Sequence, residues 1–236
     1  GNCAAVSVSY GLLPSFLSLT KVRLAGETQR ELLNAIDHEL IGRRNKGKHV
    51  PKILLYGESL GARVQQFAIP LGSSDLDKYS VYRALWVGTP GGRIADTFHQ
   101  LCASESVTVD RPEQIPANTD NRVWFLEHDG DPVVRFRPDL AWAPPKWLDP
   151  ELPRGRNIPA EMSWTLGVTW VTVGIDTLFA TSIKPGDFQS LGHDYRADLG
   201  AVATAAFGFT GQLTPEQTKG LEVLLREIEV TRAQKL

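Results

Sequence analysis

The stretch "ILLYGESLGARVQQF", residues 53–67, decides the fold class of this chain. A short apolar run leads into the string "GESLG", residues 57–61, and a helical pattern of apolar residues follows at once. A continuous apolar run of this length is typical of a strand that is buried on both faces of a parallel sheet. The stretch therefore predicts a strand, a tight turn and a helix, with Ser59 at the turn.

The same alternation of strand and helix patterns continues along the chain. It predicts an α/β fold with a mostly parallel sheet flanked by helices, in a single domain over residues 1–236. The predicted strands are "CAAVSVSY" (residues 3–10), "KILLY" (52–56), "YRALWVG" (82–88) and "NRVWFLE" (121–127). The clearest predicted helices are residues 27–42, with Gly42 as C-cap, and residues 214–230, with Thr214 as N-cap and Gln217 completing a capping box.

Composition excludes several classes of function. The 236 residues carry a net charge of −2, so no basic surface is expected for nucleic acid. We predict no metal and no cofactor. The two cysteines are too few for a disulfide framework. We expect both to be free thiols, with Cys3 a small core residue in the first strand.

One segment, residues 141–180, departs from the alternation. Its first half is rich in proline and tryptophan, which predicts a stiff, irregular connection. Its second half is apolar but is interrupted by Gly167, Gly174 and Asp176, and it is shorter than the ~20 residues of a spanning helix. We expect a buried or cleft-lining helix here, and we interpret the whole segment as a cap or insertion over the cleft.

A serine hydroxyl is a useful nucleophile only when a general base takes its proton and a carboxylate orients that base. On a strand–turn–helix site the chain order is Ser, then Asp or Glu, then His. Of the five histidines, His193 alone has the expected place, in a glycine-containing loop after the last clear strand. The sequence therefore predicts Ser59 as nucleophile and His193 as its base.

The acid is expected in "VWFLEHDGDPVVRF", residues 123–136. A strand that ends near Leu126 places Glu127, Asp129 and Asp131 at the carboxyl edge of the sheet, where sites in open α/β sheets gather. We favour Asp131, because the following proline turns the chain sharply and fixes the direction of the carboxylate. Asp129 is the second choice. For any one of these residues alone, a solvated acidic turn is the simpler explanation.

Backbone donors are also needed to stabilise an oxyanion. The amide of Leu60, directly after Ser59, is one predicted donor. A second normally comes from a loop after an earlier strand. The loop "VGTPGGR", residues 87–93, is a local candidate to line the site, although its glycines are more typical of a turn.

Four further residues are predicted to contact substrate. Glu58 and Thr89 lie beside the turn and at the end of a neighbouring strand, and Trp142 and Trp164 are interpreted as part of an apolar wall for lipid-like acyl groups. The alternative for the tryptophans is an ordinary place in the core.

Taken together, these motifs resemble the α/β-hydrolase superfamily. Within it, the chain is similar to the actinobacterial α/β-hydrolase family that has a hydrophobic, membrane-spanning region before the catalytic domain. The matching strings are "YGESLGA", "WVGTPGG", "HDGDPVV", "RPDL", "PKWL", "EMSW" and "GHDY", spread over residues 10–198.

The resemblance implies a triad of Ser59, Asp131 and His193. It also implies that this chain lacks the membrane segments, the early strands and the usual oxyanion loop. A separate N-terminal segment is then expected to pair with the exposed sheet edge. A cell-envelope or membrane-associated setting follows from the same resemblance.

The function that these residues predict is hydrolysis of a carboxylic ester, with a lipid-like acyl ester as one substrate class, through an acyl-enzyme. An acyltransferase with the same acyl-enzyme is an alternative that the sequence does not separate. A non-catalytic binding or assembly module with a relic site is the other alternative. The lack of a clear second oxyanion donor favours it, and the complete Ser, Asp and His set argues against it.

Overall fold

The central sheet holds the fold together. The structure is a computed structural model that describes residues 3–7, 21–180, 190–209 and 214–234. The described residues form a four-stranded, entirely parallel sheet in the order β1-β2-β4-β3. Its strands are β1 (Ile53–Glu58), β2 (Val81–Val87), β3 (Ser106–Val109) and β4 (Val123–Leu126). The mostly parallel sheet of the sequence prediction is confirmed.

Strands β2 and β4 form the centre of the core because their side chains are buried on both faces. Trp86 and Phe125 point into one cluster with Phe98 of a flanking helix. Leu85 and Trp124, one residue earlier in each strand, belong to a second cluster on the opposite face. Because successive side chains are buried on opposite faces of the sheet, the sequences of both strands are largely apolar.

Helices connect the strands and cover the sheet. They are α1 (Val22–Asn45), α2 (Leu60–Ala68), α3 (Ser73–Lys78), α4 (Arg93–Leu101), α5 (Pro132–Arg135), α6 (Val168–Phe179), α7 (Arg196–Ala206) and α8 (Pro215–Ala233). In the described part of the chain, no helix has the length and apolarity to cross a membrane.

Several local predictions are settled by these bounds. The capping box of α8 is confirmed, because the Thr214 amide donates to Gln217 Oε1 at 2.8 Å and the Gln217 amide donates to Thr214 Oγ1 at 3.2 Å. The C-cap at Gly42 is wrong, since α1 continues to Asn45 and places Arg43 and Arg44 in its last turn. Basic side chains there favour continuation, because they interact well with the carboxyl end of a helix.

The predicted first strand is wrong where it is described. Residues 3–7 have no regular structure and are exposed, and residues 8–10 lie outside the described residues. Small side chains such as Ala4 and Ala5 offer little apolar surface to bury, so they do not tie this stretch to the core. Cys3 is accordingly exposed rather than a core residue, while both cysteines are free thiols as predicted.

The second half of the segment 141–180 is a helix, as expected, but the buried alternative is wrong, while the cleft-lining alternative stays a prediction. It forms α6, but only Thr169 and Val173 of this helix are buried. Leu178 and Phe179 expose 68% and 67% of their surface, so α6 presents an apolar face outward instead of being buried. The first half consists of short 3-10 turns and irregular chain, as the prolines predict.

Candidate active site

Ser59 lies at a strained turn between β1 and α2. Strand β1 ends at Glu58 and α2 begins at Leu60, so Ser59 is the only residue between them. Its backbone angles are φ 53° and ψ −121°, a region that L-residues rarely occupy. The Ser59 amide donates to the carbonyl of Val87 at 2.8 Å, which ties the turn to the end of β2. This is the geometry of a nucleophile elbow.

The two glycines of "GESLG" have different roles. A Cβ on Gly57 would lie 2.8 Å from Ala62 Cα and 2.9 Å from its amide nitrogen, so the turn closes only if residue 57 has no side chain. A Cβ on Gly61 would meet nothing within 4 Å. Of the two glycines, only Gly57 therefore relieves a clash at the turn.

The structure brings Ser59, His193 and Asp131 into one hydrogen-bonded line. His193 Nε2 lies 2.9 Å from Ser59 Oγ, and His193 Nδ1 lies 2.7 Å from Asp131 Oδ2. Both His193 and Asp131 are buried, whereas Ser59 is half-buried. Ser59 is thus the most exposed of the three residues.

Asp131 is fixed by its place in the fold. It comes five residues after the end of β4 and is the N-cap of α5, where its Oδ1 accepts from the Val133 amide at 2.8 Å. Pro132 occupies the first helical position, which favours this turn. Its other oxygen, Oδ2, accepts from His193 and also from the hydroxyl of Tyr195 at 2.6 Å.

The alternative acids have other partners. Asp129 pairs with Arg135 at 2.9 Å, and its Oδ2 accepts from the Arg156 amide at 3.3 Å. Glu127 lies 3.2 Å from His99 Nε2. Because each of these carboxylates is held elsewhere, Asp131 is the acid that the structure places against His193.

The loop after β2 borders the site. Gly88 has φ +55°, and a Cβ there would lie 2.8 Å from His193 Cε1 and 2.6 Å from Tyr195 Cε2. Gly91 is packed against the carbonyl of Val134 and donates its amide to Val133 O at 3.0 Å. The glycines of "VGTPGGR" thus serve both a turn and a close approach to the imidazole.

The remaining predicted residues have distinct surroundings. Leu60 is buried, and its amide, as the first of α2, has no acceptor within the helix. Thr89 is fully buried, and its Oγ1 has no hydrogen-bond partner among the described residues. Glu58 is exposed and accepts from Tyr56 at 2.8 Å. Trp142 is 65% exposed, and Trp164 is half-buried with Nε1 donating to the Leu140 carbonyl at 2.9 Å.

The sequence analysis did not identify the buried polar residues that lie behind Ser59, His193 and Asp131. His128 is fully buried, with Nδ1 2.8 Å from the Gly192 carbonyl and Nε2 3.0 Å from Asp198 Oδ2. Arg156, from the proline-rich segment, lies 2.8 Å from Asp110 Oδ2 and 3.4 Å from Asp198 Oδ2. The available signals were the strings "EHDGDP" and "GHDY", in which His128 and Tyr195 stand within three residues of Asp131 and His193.

Burial and hydrogen bonds together set the pKa values of two groups in this region. Burial, followed by the charge of Asp131 and its hydrogen bond, raises the pKa of Tyr195 well above its ordinary value. Burial also favours the neutral form of Asp198, but hydrogen bonds from His128 and Ser190 outweigh it and lower the pKa of this carboxyl. Tyr195 is therefore a hydrogen-bond donor and Asp198 an anion at neutral pH.

A protein-family model matches this architecture. The model of the "Alpha/beta-hydrolase family" aligns with residues 1–110 and 102–221, which is most of the chain. The chain belongs to this α/β-hydrolase family. Comparison with curated proteins and with solved structures gave no match.

Membership of the α/β-hydrolase family supports hydrolase chemistry in general. Over the residues described in this α/β-hydrolase, no group of His, Cys, Asp and Glu side chains is placed to hold a metal ion.

Proposed function

We propose that the protein is a serine hydrolase that cleaves a carboxylic ester through an acyl-enzyme. The observation that carries the proposal is the line Ser59 Oγ, His193 Nε2, His193 Nδ1 and Asp131 Oδ2, with successive contacts of 2.9 and 2.7 Å. The strained backbone of Ser59 supports it, because such strain persists where the surrounding structure holds a functional residue in place.

In the proposed reaction Ser59 Oγ attacks the ester carbonyl carbon while its proton passes to His193 Nε2. Asp131 accepts from Nδ1 and stabilises the imidazolium. The tetrahedral intermediate carries its negative charge beside the Leu60 amide. When the intermediate collapses, the C–O bond to the alcohol breaks and the alcohol leaves with the proton from His193.

The acyl-enzyme is then hydrolysed by the reverse arrangement. Water gives a proton to His193 Nε2 and attacks the carbonyl carbon, and the bond to Ser59 Oγ breaks as the serine recovers that proton. The products are a free acid and an alcohol, and the enzyme returns to its starting state.

An apolar acyl group is the substrate part that the surroundings favour. Helix α6 packs next to Asp131, because Thr177 Oγ1 donates to the Pro132 carbonyl at 3.0 Å. Its outward face is apolar over two turns, through Val171, Ile175 and Leu178, and Trp142 is also exposed. An exposed apolar face on the helix that packs against the Asp131 segment suits a lipid-like chain better than a charged one.

The test is labelling by a fluorophosphonate, which captures an activated serine. We expect covalent labelling of the wild type and none of Ser59→Ala. Ser80→Ala is the matched control, because Ser80 also has φ 53° but lies in the exposed turn before β2. An unlabelled wild type, or labelling that persists in Ser59→Ala, would show that the site is not a serine nucleophile.

Product analysis with p-nitrophenyl acyl esters then separates hydrolysis from transfer. We expect free acid in equal amount to p-nitrophenol, with faster turnover of longer acyl chains. Transfer to an added alcohol in place of free acid would instead identify an acyltransferase, the alternative that uses the same acyl-enzyme.

We further propose that this α/β-hydrolase works at the cell envelope. The support is its resemblance to the actinobacterial family with a membrane-spanning region, together with the outward apolar face of α6. Flotation with phospholipid vesicles tests this: the protein should float with the vesicles, and Leu178→Glu should reduce the floated fraction. Equal amounts of wild type and variant in the vesicle-free fraction would exclude a role for α6.

A further inference from the structure

We infer that Tyr195 is a positioning residue, which shares the Asp131 carboxylate with His193 and thereby sets how strongly Asp131 holds the imidazole. This inference rests on the proposed serine hydrolase function. The two donors reach the same oxygen: Tyr195 OH lies 2.6 Å and His193 Nδ1 lies 2.7 Å from Asp131 Oδ2.

The phenol is built into the core rather than placed at a surface. Tyr195 exposes 1% of its surface and Asp131 exposes none, so water does not replace either donor. The Tyr195 ring stands edge-on to the His193 ring, with the ring centres 5.7 Å apart and the planes at 84°. The backbone of Gly88 packs closely against both rings, since a Cβ there would lie 2.6 Å from Tyr195 Cε2 and 2.8 Å from His193 Cε1, and this packing restricts how the two rings can move.

His128 holds the phenol from behind. Its backbone amide donates to Tyr195 OH at 3.1 Å, and its ring stacks on the Tyr195 ring at 4.0 Å. The His128 side chain also donates from Nδ1 to the Gly192 carbonyl at 2.8 Å, since a carbonyl only accepts. His128 therefore fixes both Tyr195 and the residue next to His193.

The charged and titratable groups around the phenol are few and define its electrostatics. From the segment after β4, Asp131, Glu127 and His128 face it, and from α7 Asp198 lies behind His128. Burial and the two carboxylates raise the pKa of this hydroxyl well above its ordinary value, so it is protonated and donates at neutral pH.

Two donors on one carboxylate oxygen have a definite chemical consequence. Each hydrogen bond withdraws charge from Oδ2 and makes it a weaker acceptor for the other. When the Tyr195 hydroxyl is removed, Asp131 is expected to bind the imidazolium more strongly but to lose one of the contacts that orient it. The first effect moves the protonation of the base to higher pH, and the second slows the chemical step.

The test compares Tyr195→Phe with Tyr79→Phe. Tyr79 is equally buried but lies in the other core cluster, where its hydroxyl contacts Lys78 at 3.1 Å. For Tyr195→Phe we expect kcat on an acyl ester to fall about tenfold with little change in KM, and the midpoint of the acid limb of kcat/KM to rise by about half a pH unit. Tyr79→Phe should leave both unchanged.

A second modification keeps the shape of the side chain and should act in the opposite direction. With 3-fluorotyrosine at position 195 the phenol is a stronger donor, so the acid limb should move to lower pH. General damage to the fold does not shift a pH profile in opposite directions for two modifications. If both forms of the protein have the profile of Tyr79→Phe, Tyr195 is not a positioning residue.

A measurement without turnover separates this inference from the proposed function. In the downfield proton spectrum of histidine-labelled protein at low pH, the His193 Nδ1–H signal should move downfield in Tyr195→Phe. If ester turnover is the same in wild type and Ser59→Ala, the proposed function fails, but this signal still decides whether Tyr195 shares Asp131. An unchanged signal in Tyr195→Phe would overturn the inference.

Discussion

The backbone of Ser59 shows how one residue is kept in an unfavourable conformation. A non-glycine residue at φ 53° and ψ −121° costs about 1–3 kcal/mol, which the surrounding contacts must supply. They are the hydrogen bond from Ser59 to Val87 and the close packing of Gly57 on Ala62. The turn thus requires that residue 57, two residues before the serine, has no side chain.

Gly57→Ala should therefore disrupt the site while Gly61→Ala should not. The added methyl at residue 57 would meet Ala62 Cα at 2.8 Å, and because both groups are on the main chain, the turn itself must open. We expect Gly57→Ala to lose at least 100-fold in the rate of fluorophosphonate labelling and about 1–3 kcal/mol of unfolding free energy.

Gly61→Ala is the matched control, since its new methyl meets nothing within 4 Å and lies inside α2. Alanine is a better helix former than glycine, so the free energy of unfolding should rise by up to about 1 kcal/mol. Urea unfolding of the wild type, Gly57→Ala and Gly61→Ala measures both changes in the free energy of unfolding. Equal stability of the two variants would contradict the role given to Gly57.

At the scale of elements, α7 is held at both ends by groups from distant parts of the chain. Its first turn contains Asp198, which contacts His128 beyond β4. At its other end the buried Arg83 of β2 donates to the carbonyls of Ala205 and Ala206 at 3.3 and 3.0 Å. The last carbonyls of a helix lack partners within it, so a buried guanidinium is a favourable cap.

Arg83→Met should destabilise the protein through this end of α7. Methionine preserves the apolar stem but leaves the two carbonyls unsatisfied in a buried place, which costs about 1–3 kcal/mol of unfolding free energy. The control is Arg43→Met, because Arg43 pairs with Glu39 on the exposed surface of α1. Such a pair contributes less than about 1 kcal/mol.

Thermal and urea unfolding followed by circular dichroism provide the comparison. If Arg83→Met lost no more free energy of unfolding than Arg43→Met, the contacts of Arg83 with the end of α7 would not stabilise the protein.

At the scale of the whole molecule, the sequence predicts elements that have a clear local pattern of apolar residues. It does not predict contacts between residues that are distant along the chain. Strands β1, β2 and β4 were predictable because each contains a continuous apolar run. The burial on both faces that was expected of β1 is wrong, because Leu54 and Tyr56 are exposed. Strand β3, Ser106–Val109, was not predictable, since it alternates small polar residues with valine and is only partly buried at its start. Residues 3–7, "CAAVS", also consist of small residues and a valine, yet form no strand.

The residues of the candidate site likewise include some that could be predicted from the sequence and some that could not. Chain order and turn chemistry were enough to select Ser59, Asp131 and His193, which the fold brings together across more than 60 residues. The contacts of Tyr195 and His128 could not be predicted, because they depend on how the loop before α7 packs on the end of β4. Each stands within three residues of Asp131 or His193, but this nearness alone does not distinguish it from a core aromatic.

The anion Asp198 links these distant parts and gives the molecule a predictable response to acid. Its pKa is lowered in the folded protein, so its contribution to stability is fully present above the unfolded value of about 4. That contribution is lost as the pH falls through the lower, folded value. Stability from Asp198 is thus a feature of neutral pH that disappears in acid.

Asp198→Asn should therefore be less stable than wild type at pH 7, by about 1–3 kcal/mol, because His128, Arg156 and Ser190 lose their charged acceptor. Below about pH 4 the carboxyl takes up its proton in the unfolded chain, and the difference should shrink as the pH falls further toward the lower pKa of the folded protein. Asp120→Asn, with the same change of charge at an exposed position, should show no such difference at either pH. Urea unfolding between pH 3 and 7 measures the gap, and a gap that stays constant over this range would show that Asp198 does not act through its charge.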